Sequence, residues 1–288
     1  MSKASSVRSE LFAPSAIQSI VKKAMVDELS SFYGINTFPE DGEEYPFRVF
    51  ILKNKVAIGL DTTGVSLHKR GYRLMQGEAP IAENLAAALV MLTPWRDGRI
   101  LVDPFAGSGT IAIEAAMLAA NIAPGMNRDF NAKRWGNIVN PDLWKECEEE
   151  AREMVKSDLS SDIQAYDIDG GLLKVARENA ARAGVDKYIH FQTRDVRDLS
   201  HSKKYGFIIT NPPYGERLEE KKKLPELYRS FGEALKRLDS WSVYVISSYE
   251  DTEKYLGMKA AKKRKIYNGM IKTDYYQFPG PKPPKKGN

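Results

Sequence analysis

The sequence is poor in the residues that build disulfides, zinc sites and membrane spans. Cys147 is the one cysteine among 288 residues, so no internal disulfide can form, and a single thiol fits a reducing cytoplasm. Three histidines and one cysteine, without clustered spacing, argue against a zinc site. No apolar run approaches the roughly 20 residues of a transmembrane helix, and the Ser-rich start has no apolar signal core. We therefore expect a cytoplasmic protein that uses neither a metal nor a membrane.

The chain also lacks both common glycine-rich nucleotide fingerprints. The turn at residues 103–110 reads Asp-Pro-Phe-Ala-Gly-Ser-Gly-Thr, which is not G-x-G-x-x-G and has no P-loop lysine. Its two glycines permit a tight turn and the close approach of a ligand to the backbone. A dinucleotide site would have groups here that donate hydrogen bonds to phosphate, whereas this turn has an acid, which suits a cationic ligand such as S-adenosylmethionine. The alternative is a turn with a purely structural role. The candidate cofactor-binding residues here are Asp103, Pro104, Phe105, Gly107, Gly109 and Thr110.

Further acids follow the next two predicted strands. The second strand ends in Asp167, Ile168 and Asp169, and an acid at this place after a glycine turn can bind ribose hydroxyls. We assign that role to Asp167, with Ile168 beside it, because Asp169 is well placed to cap the following helix. The third strand leads to Asp195, which could accept a hydrogen bond from an adenine amine. A solvated loop acid is the alternative for Asp195.

The tetrad Asn211, Pro212, Pro213 and Tyr214 is the strongest indication of chemistry. It follows an apolar run at 205–210, so we place it at the carboxyl end of a buried strand. The Asn side-chain oxygen and a Pro carbonyl can both accept hydrogen bonds from an exocyclic amine. The Tyr ring offers a face on which an extruded base can stack. The tetrad therefore predicts methylation of a base amine, and a plain Pro-Pro turn is the alternative.

The positive charge is concentrated near the end of the chain. The net charge is +5, and residues 256–288 contain nine Lys or Arg and a single acid, Asp274. Residues 265–267 and 272–278 are predicted to form a hairpin across Asn268-Gly269, because Asn-Gly is a strong hairpin signal. Such a basic edge would attract a phosphate backbone, while a solvated lysine run is the alternative.

Strands and helices alternate after residue 80, which indicates an α/β, doubly wound sheet. The predicted elements are helices 81–92, 110–120, 171–183 and 224–238 and strands 100–102, 163–166, 189–193, 205–210 and 241–247, followed by the hairpin. The stretch 121–161 interrupts this pattern with a loop and a charged helix. Its Arg and aromatic residues could contact RNA or the target base, but packing of the inserted helix onto the sheet is the favoured interpretation.

Four more stretches complete a family resemblance. They are residues 68–73 (HKRGYR), 79–86 (APIAENLA), 121–125 (NIAPG) and 211–217 (NPPYGER). With the turn at 103–110 they resemble the class I S-adenosylmethionine-dependent amino-methyltransferases, and most closely the THUMP-containing RNA methylases of bacteria. That family has relatives among the guanine-N2 methyltransferases of large-subunit ribosomal RNA and of tRNA. The resemblance implies a Rossmann-like sheet of seven strands with a closing antiparallel hairpin, and a ribosomal RNA substrate.

One departure concerns the amino-terminal region. Family members usually carry a complete THUMP domain, whereas this chain resembles only its end. We predict a helix at 15–31 capped by Ser15, and a hairpin or a strand pair formed by 47–60 and 65–72. The RNA affinity of the family is therefore an open point for this chain. We expect a partial THUMP-like segment over 1–75, the methyltransferase domain over 76–280 and a basic flexible tail over 281–288.

Several alternatives remain open. The tetrad serves guanine N2 and adenine N6 equally, and the resemblance favours guanine N2 in ribosomal RNA over adenine N6 in RNA or DNA. A glutamine methyltransferase uses a related tetrad but would not need the basic hairpin. An inactive RNA-binding module would dispense with Asp103, Gly107 or Asn211, all of which are present. A nucleotide-dependent oxidoreductase would show the missing G-x-G-x-x-G. Nothing in the sequence fixes the oligomeric state.

Overall fold

The computed structural model describes residues 3–73, 81–215 and 218–284. Its helices are α1 (Pro14–Tyr33), α2 (Glu83–Met91), α3 (Thr110–Ala119), α4 (Pro141–Glu153), α5 (Gly170–Ala183), α6 (Leu218–Leu235) and α7 (Thr252–Leu256). Its strands are β1 (Lys3–Val7), β2 (Phe47–Leu52), β3 (Lys55–Leu60), β4 (Leu101–Asp103), β5 (Ile163–Asp167), β6 (Ile189–Thr193), β7 (Phe207–Thr210), β8 (Ser242–Ser247), β9 (Lys262–Asn268) and β10 (Ile271–Phe278). Within the three described ranges, no helix combines the length and apolar character that a bilayer crossing requires.

The described chain forms two compact units. One contains the residues up to Leu67 together with Arg128–Glu149, and the other contains the remainder. The predicted boundary between residues 75 and 76 lies outside the described residues and stays a prediction. The predicted tail also continues past Pro284, where the described residues end.

The first unit is a small three-stranded α/β arrangement. β2 and β3 form an antiparallel hairpin, and β1 pairs with β2 in parallel. Lys53 and Asn54 at the hairpin tip both have positive φ, the backbone that a two-residue hairpin turn requires. Ile17 of α1 packs on Val49 and Ile51 of β2 to form a small core. The likeness of this unit to part of a THUMP domain stays a prediction.

Residues 128–149, the middle of the interrupting stretch, belong to the first unit. The Trp135 indole is buried, donates a hydrogen bond of 2.9 Å to the Glu44 carbonyl and stacks on Tyr45. Phe130 stacks on Trp144 at the start of α4. The favoured sequence interpretation, packing of the inserted helix onto the large sheet, was therefore wrong for residues 128–149. An insertion carries no local signal of which surface it will cover.

The second unit is built on a seven-stranded sheet in the order β6-β5-β4-β7-β8-β10-β9. The pairs from β6 to β8 are parallel, whereas β10 is antiparallel to both β8 and β9. This order confirms the predicted doubly wound fold with its closing hairpin. The switch between β4 and β7, which are adjacent in the sheet but distant in the chain, is where such sheets open a crevice for ligands.

Two apolar cores cover the faces of this sheet. Successive strand residues point to opposite faces, so Leu101 joins one core while Val102 joins the other. The first core contains the buried side of α3, which includes Ile111 and Ile113. The second contains Tyr228 and the rest of the buried side of α6. Because both faces are covered, every residue of β4 and β7 is buried, including the polar residues Asp103 and Thr210 at their carboxyl ends.

Local details of the sequence prediction need three corrections. α1 begins at Pro14 after Ala13, which provides no side-chain cap, so the prediction of Ser15 as the cap was wrong. Residues 65–72 form no strand, and the predicted strand pair is instead the β2–β3 hairpin within 47–60. The closing hairpin pairs Asn268 with Ile271, which shifts its two-residue loop to Gly269-Met270.

Candidate active site

The glycine turn after β4 has the shape that the sequence predicts. Gly107 and Gly109 have φ angles of +52° and +82°, a region that favours glycine. A Cβ added at Gly109 would lie 2.9 Å from the Cβ of Ala176, so this glycine lets the turn pack against α5. A Cβ added at Gly107 would meet no atom within 4 Å, so the backbone there faces open space that a ligand can enter.

The acid at the end of β5 is tied to this turn. Asp167 Oδ2 accepts a hydrogen bond of 2.8 Å from the Gly107 N–H, and its Oδ1 accepts one of 2.9 Å from the Asp169 N–H. The structure thus brings together two residues predicted to bind one cofactor, 60 positions apart in the chain. The half-buried carboxylate lies at the rim of the open space above Gly107.

Asp103, the first residue of the predicted cofactor turn, is buried with an exposed fraction of 1%. Its Oδ1 accepts hydrogen bonds from the Thr210 hydroxyl at 2.6 Å and from the Phe105 N–H at 3.2 Å. Burial raises the pKa of Asp103 to about 7, against the opposing effect of these two hydrogen bonds, and the nearby charge of Asp167 adds to the rise. A cationic ligand would stabilise the ionised form of such a carboxyl, so the residues present fit the cation that the sequence predicts.

Thr110 is held in place from a second direction. Its buried hydroxyl accepts a hydrogen bond of 2.8 Å from Arg73, which also donates to the Ile81 carbonyl. Pro104 is buried and Phe105 half-buried, with the Phe105 ring edge-on to Phe231 at 5.2 Å between centroids. These contacts fix the turn from both faces of the sheet and leave the Gly107 backbone as its open part.

The tetrad lies at the carboxyl end of β7, next to the turn. Pro212 is buried, Pro213 is exposed, and Asn211 and Tyr214 are partly buried. The Tyr214 hydroxyl donates a hydrogen bond to Asn211 Oδ1. A carboxamide oxygen has two lone pairs, so Asn211 can still accept a second hydrogen bond from an amine while Tyr214 fixes its orientation.

Asp169, Ile168 and Asp195, the remaining candidates after the second and third strands, have different surroundings. Asp169 accepts hydrogen bonds from the Gly171 and Leu172 N–H groups at 2.7 and 3.3 Å, which confirms its predicted role as the cap of α5. Ile168 is 70% exposed. Asp195 accepts both side-chain and backbone hydrogen bonds from Arg197, which lower its pKa. Roles of Asp195 and Ile168 in cofactor binding stay predictions.

Sequence reasoning missed two supporting residues. Thr210 connects Asp103 to the tetrad, and Tyr228 of α6 contacts the Pro213 carbonyl. Thr210 ends a strand and Tyr228 lies in a helix that reads as an ordinary amphipathic one, so neither residue carries a local signal of its role. Their importance depends on which strands and helices become neighbours.

Comparison with known proteins gives a family match over most of the chain. The family model described as RMKL-like, methyltransferase domain, matches residues 70–277. A Bacillus subtilis (strain 168) protein named "Putative RNA methyltransferase YpsC" is 48% identical over 95% of this chain and 71% of that protein. Ribosomal RNA large subunit methyltransferase K/L of Cellvibrio japonicus is 37% identical over 90% of this chain. This chain spans 36% of that longer relative.

Solved structures agree with this match. SMU.472, described as "a putative methyltransferase complexed with SAH", is 41% identical, with a TM-score of 0.92 over 98% of this chain and 74% of that chain. A Listeria monocytogenes protein described as a "predicted N6-adenine-specific DNA methylase" is 44% identical, with a TM-score of 0.91 over 97% of this chain and 73% of that chain. Both similarities extend over the two compact units.

Proposed function

Because this chain belongs to the RMKL-like methyltransferase domain family, we propose that it methylates an exocyclic base amine in RNA, with S-adenosylmethionine as the methyl donor. The target that we favour is N2 of guanine in large-subunit ribosomal RNA. One observation carries the proposal: the Asn211 carboxamide stands beside the glycine turn, joined to it through Thr210 and Asp103. An amine-binding group and a cofactor-binding group therefore meet at one edge of the sheet.

The residues of the turn provide the proposed cofactor site. Asp103 would face the positive charge of the methionine part, Asp167 would accept hydrogen bonds from the ribose, and Asp195 would lie near the adenine. The open backbone at Gly107 gives the ligand room. SAH, the product that remains after methyl transfer, is bound by SMU.472, a protein 41% identical to this chain. Bound S-adenosylmethionine would supply an electrophilic methyl group and accept the electron pair of the broken carbon–sulfur bond.

The tetrad would then hold the acceptor nitrogen. The Asn211 oxygen and the Pro212 carbonyl accept the two N–H groups of the amine, which directs its lone pair out of the base plane. The Tyr214 ring supports the extruded base by stacking. The amine loses one proton to water after transfer, so no strong general base is required. Positioning would provide most of the rate, and effects of this kind can reach about 7–11 kcal/mol.

RNA is the substrate that we favour for two reasons. The relatives at 48% and 37% identity are named as an RNA methyltransferase and as a ribosomal RNA methyltransferase. The exposed lysines Lys265 and Lys272 of the closing hairpin suit a phosphate backbone. A ribosomal RNA substrate would place the protein in the cytoplasm.

Adenine N6 is the second candidate target. The description of the Listeria protein, at 44% identity, names this chemistry on DNA. Both bases present an amine to the same two acceptors, so the tetrad alone does not choose between them. The identity of the methylated nucleoside in the product decides between guanine N2 and adenine N6 as the target.

The proposed function is tested with a pair of variants that act as controls for each other. Purified protein, S-adenosylmethionine with a tritiated methyl group and ribosomal RNA that lacks the modification are combined, and the methylated nucleoside is identified by mass spectrometry. Asn211→Ala should lower turnover by about 10²–10³-fold, the usual loss for one preorganised polar contact, with unchanged cofactor affinity by calorimetry. Asp167→Ala should instead weaken cofactor binding about 10-fold or more.

The outcomes are distinct. N2-methylguanine in the product supports the favoured target, and N6-methyladenine replaces it with the alternative. Wild-type turnover in Asn211→Ala would contradict the amine-binding role of the tetrad. A cofactor affinity that falls equally in both variants would contradict the division of labour between the tetrad and the turn.

A further inference from the structure

The direction of the Pro213 carbonyl depends on a backbone torsion that covalent structure leaves open. The rings of Pro212 and Pro213 fix the φ angles of both residues, and a proline at 213 also restricts ψ of Pro212. The ψ angle of Pro213 has no such restriction. Together with φ and χ1 of Tyr214, that angle determines where the Tyr214 ring points relative to Asn211, so a group that holds the Pro213 carbonyl would restrict the geometry of the tetrad.

Tyr228 of α6 is that group. Its hydroxyl lies 3.2 Å from the Pro213 carbonyl oxygen, and its exposed fraction is 1%. The same hydroxyl lies 2.8 Å from the Ser247 hydroxyl at the end of β8. The Tyr249 N–H donates to Ser247 Oγ at 3.0 Å, and the Thr252 hydroxyl donates to the Tyr249 carbonyl at 2.6 Å. The Thr252 hydroxyl also lies 3.1 Å from the Ser247 hydroxyl, so a buried chain of hydroxyls leads from Thr252 through Ser247 and Tyr228 to the tetrad.

The direction of these hydrogen bonds follows from counting protons. The carbonyls of Pro213 and Tyr249 can only accept, so the Tyr228 and Thr252 hydroxyls donate to them. Ser247 then accepts from the Tyr249 N–H and donates to Tyr228. Burial raises the pKa of Tyr228 well above its ordinary value, so its hydroxyl keeps the proton that it donates.

We propose that Tyr228 is a positioning residue for methyl transfer: its hydroxyl, oriented by Ser247, fixes the Pro213 carbonyl and thereby the Tyr214 ring against Asn211. This inference rests on the proposed function, because it assumes that the tetrad binds the base. Tyr228 does not reach the reacting atoms and acts through the backbone of the tetrad. It should therefore influence turnover more than the binding of the cofactor.

A matched pair of variants tests the inference. Tyr228→Phe removes the hydroxyl but keeps the ring, which packs edge-on against Tyr249 at 5.1 Å between centroids. Tyr275→Phe is the control, because Tyr275 is also fully buried and also donates to a backbone carbonyl, that of Leu89 at 2.9 Å, at a place remote from the tetrad in sequence. Each variant loses one buried tyrosine hydroxyl and one such hydrogen bond.

Turnover and cofactor affinity separate positioning from stability. Tyr228→Phe should lower kcat for base methylation about 10-fold and leave the dissociation constant of S-adenosylmethionine within twofold of the wild-type value. Tyr275→Phe should keep the wild-type kcat, while both variants unfold at a similarly lowered temperature. Ser247→Ala, which leaves the Tyr228 hydroxyl without its orienting donor, should give a smaller loss of kcat than Tyr228→Phe.

Each outcome decides between the two proposals. If wild-type protein methylates RNA and Tyr228→Phe matches Tyr275→Phe in kcat, the positioning role is wrong and the proposed function stands. Equal losses of kcat in both variants would mean a general effect of destabilisation, which also overturns the role. If the wild-type protein transfers no methyl group to any base amine, the proposed function fails and the inference fails with it.

Discussion

At the residue scale, Asp103 and Thr210 join the two halves of the candidate site. The sequence identified Asp103 as an unusual acid and Asn211 as an amine acceptor from local motifs. It could not identify the hydrogen bond of 2.6 Å between Asp103 and Thr210, which are 107 positions apart. That contact exists because β4 and β7 are neighbours in the sheet, and strand order is a property of the whole fold. The burial of Asp103 was missed for the same reason.

The buried carboxyl of Asp103 predicts a dependence of stability on pH. Its pKa is about 7 in the folded protein and 3.8 in the ordinary state, so between these values the folded protein binds a proton that the unfolded chain has lost. Stability from this group is complete below pH 3.8 and is lost as the pH rises to about 7. The difference between these two pKa values corresponds to a loss of as much as about 4 kcal/mol in the free energy of unfolding.

Urea unfolding at pH 5 and pH 8 measures this effect. The free energy of unfolding should fall more steeply with pH in the wild type than in Asp103→Asn, which keeps the shape of the side chain and cannot ionise. Burial also raises the pKa of Glu114 to about 7, so Glu114→Gln is needed as a parallel variant to separate the two carboxyls. Identical slopes for the wild type and Asp103→Asn would show that Asp103 does not titrate in this range.

At the element scale, α6 supports both parts of the site. Phe231 contacts Phe105 of the turn, and Tyr228 contacts Pro213 of the tetrad. These residues are three positions apart and lie on one face of the helix. The apolar period of such helices, and the Asn-Gly signal of the hairpin, made most elements predictable from sequence. The short elements β1 and α7 were missed, because five residues show too little periodicity to be recognised.

The close approach of α6 to α7 predicts that Gly232 is required. A Cβ at Gly232 would lie 2.4 Å from the carbonyl oxygen of Leu256 and 2.8 Å from its carbonyl carbon, and backbone atoms cannot move aside as a side chain can. Gly232→Ala should therefore cost about 1–3 kcal/mol of stability, as overpacking does, despite the better helix propensity of alanine.

Chemical denaturation measures this cost, with Glu226→Ala as the control because it places the same residue on the exposed side of the same helix. That control should change stability by no more than about 0.5 kcal/mol. If Gly232→Ala is as stable as the wild type, α6 and α7 can separate at little cost, and the close packing between them does not hold the site together.

At the scale of the whole molecule, strand direction places positive charge on the side of the site. β9 is antiparallel to β10, which is antiparallel to β8, so β9 runs in the same direction as β7. Its carboxyl end therefore lies at the same edge of the sheet as the tetrad. Lys265 pairs with Asp274, which pairs with Ser247 at the end of β8. Three strand spacings, roughly 14 Å, separate β9 from β7, a distance that a bound RNA strand spans within a few nucleotides.

The hairpin should accordingly bind the RNA backbone beside the target. Lys265 and Lys272 are exposed and lie on the same face as Tyr267, which pairs directly with Lys272. The double variant Lys265→Glu and Lys272→Glu should weaken RNA binding about 10-fold and reduce the slope of log affinity against log salt by more than 1, since two phosphate contacts are lost. The affinity for S-adenosylmethionine, measured by calorimetry, should not change, because the proposed cofactor site does not include the hairpin.

A double charge reversal on α5 separates local contact from net charge. Lys174→Glu with Arg182→Glu changes the charge of the protein by the same amount on exposed positions at the β5–β6 end of the sheet. If the hairpin contacts RNA directly, this control loses less affinity and keeps the wild-type salt slope when binding is measured by fluorescence anisotropy from 50 to 200 mM salt. Equal losses in the two double variants would mean that only the overall charge attracts RNA, and the hairpin would then be one of several interchangeable basic surfaces.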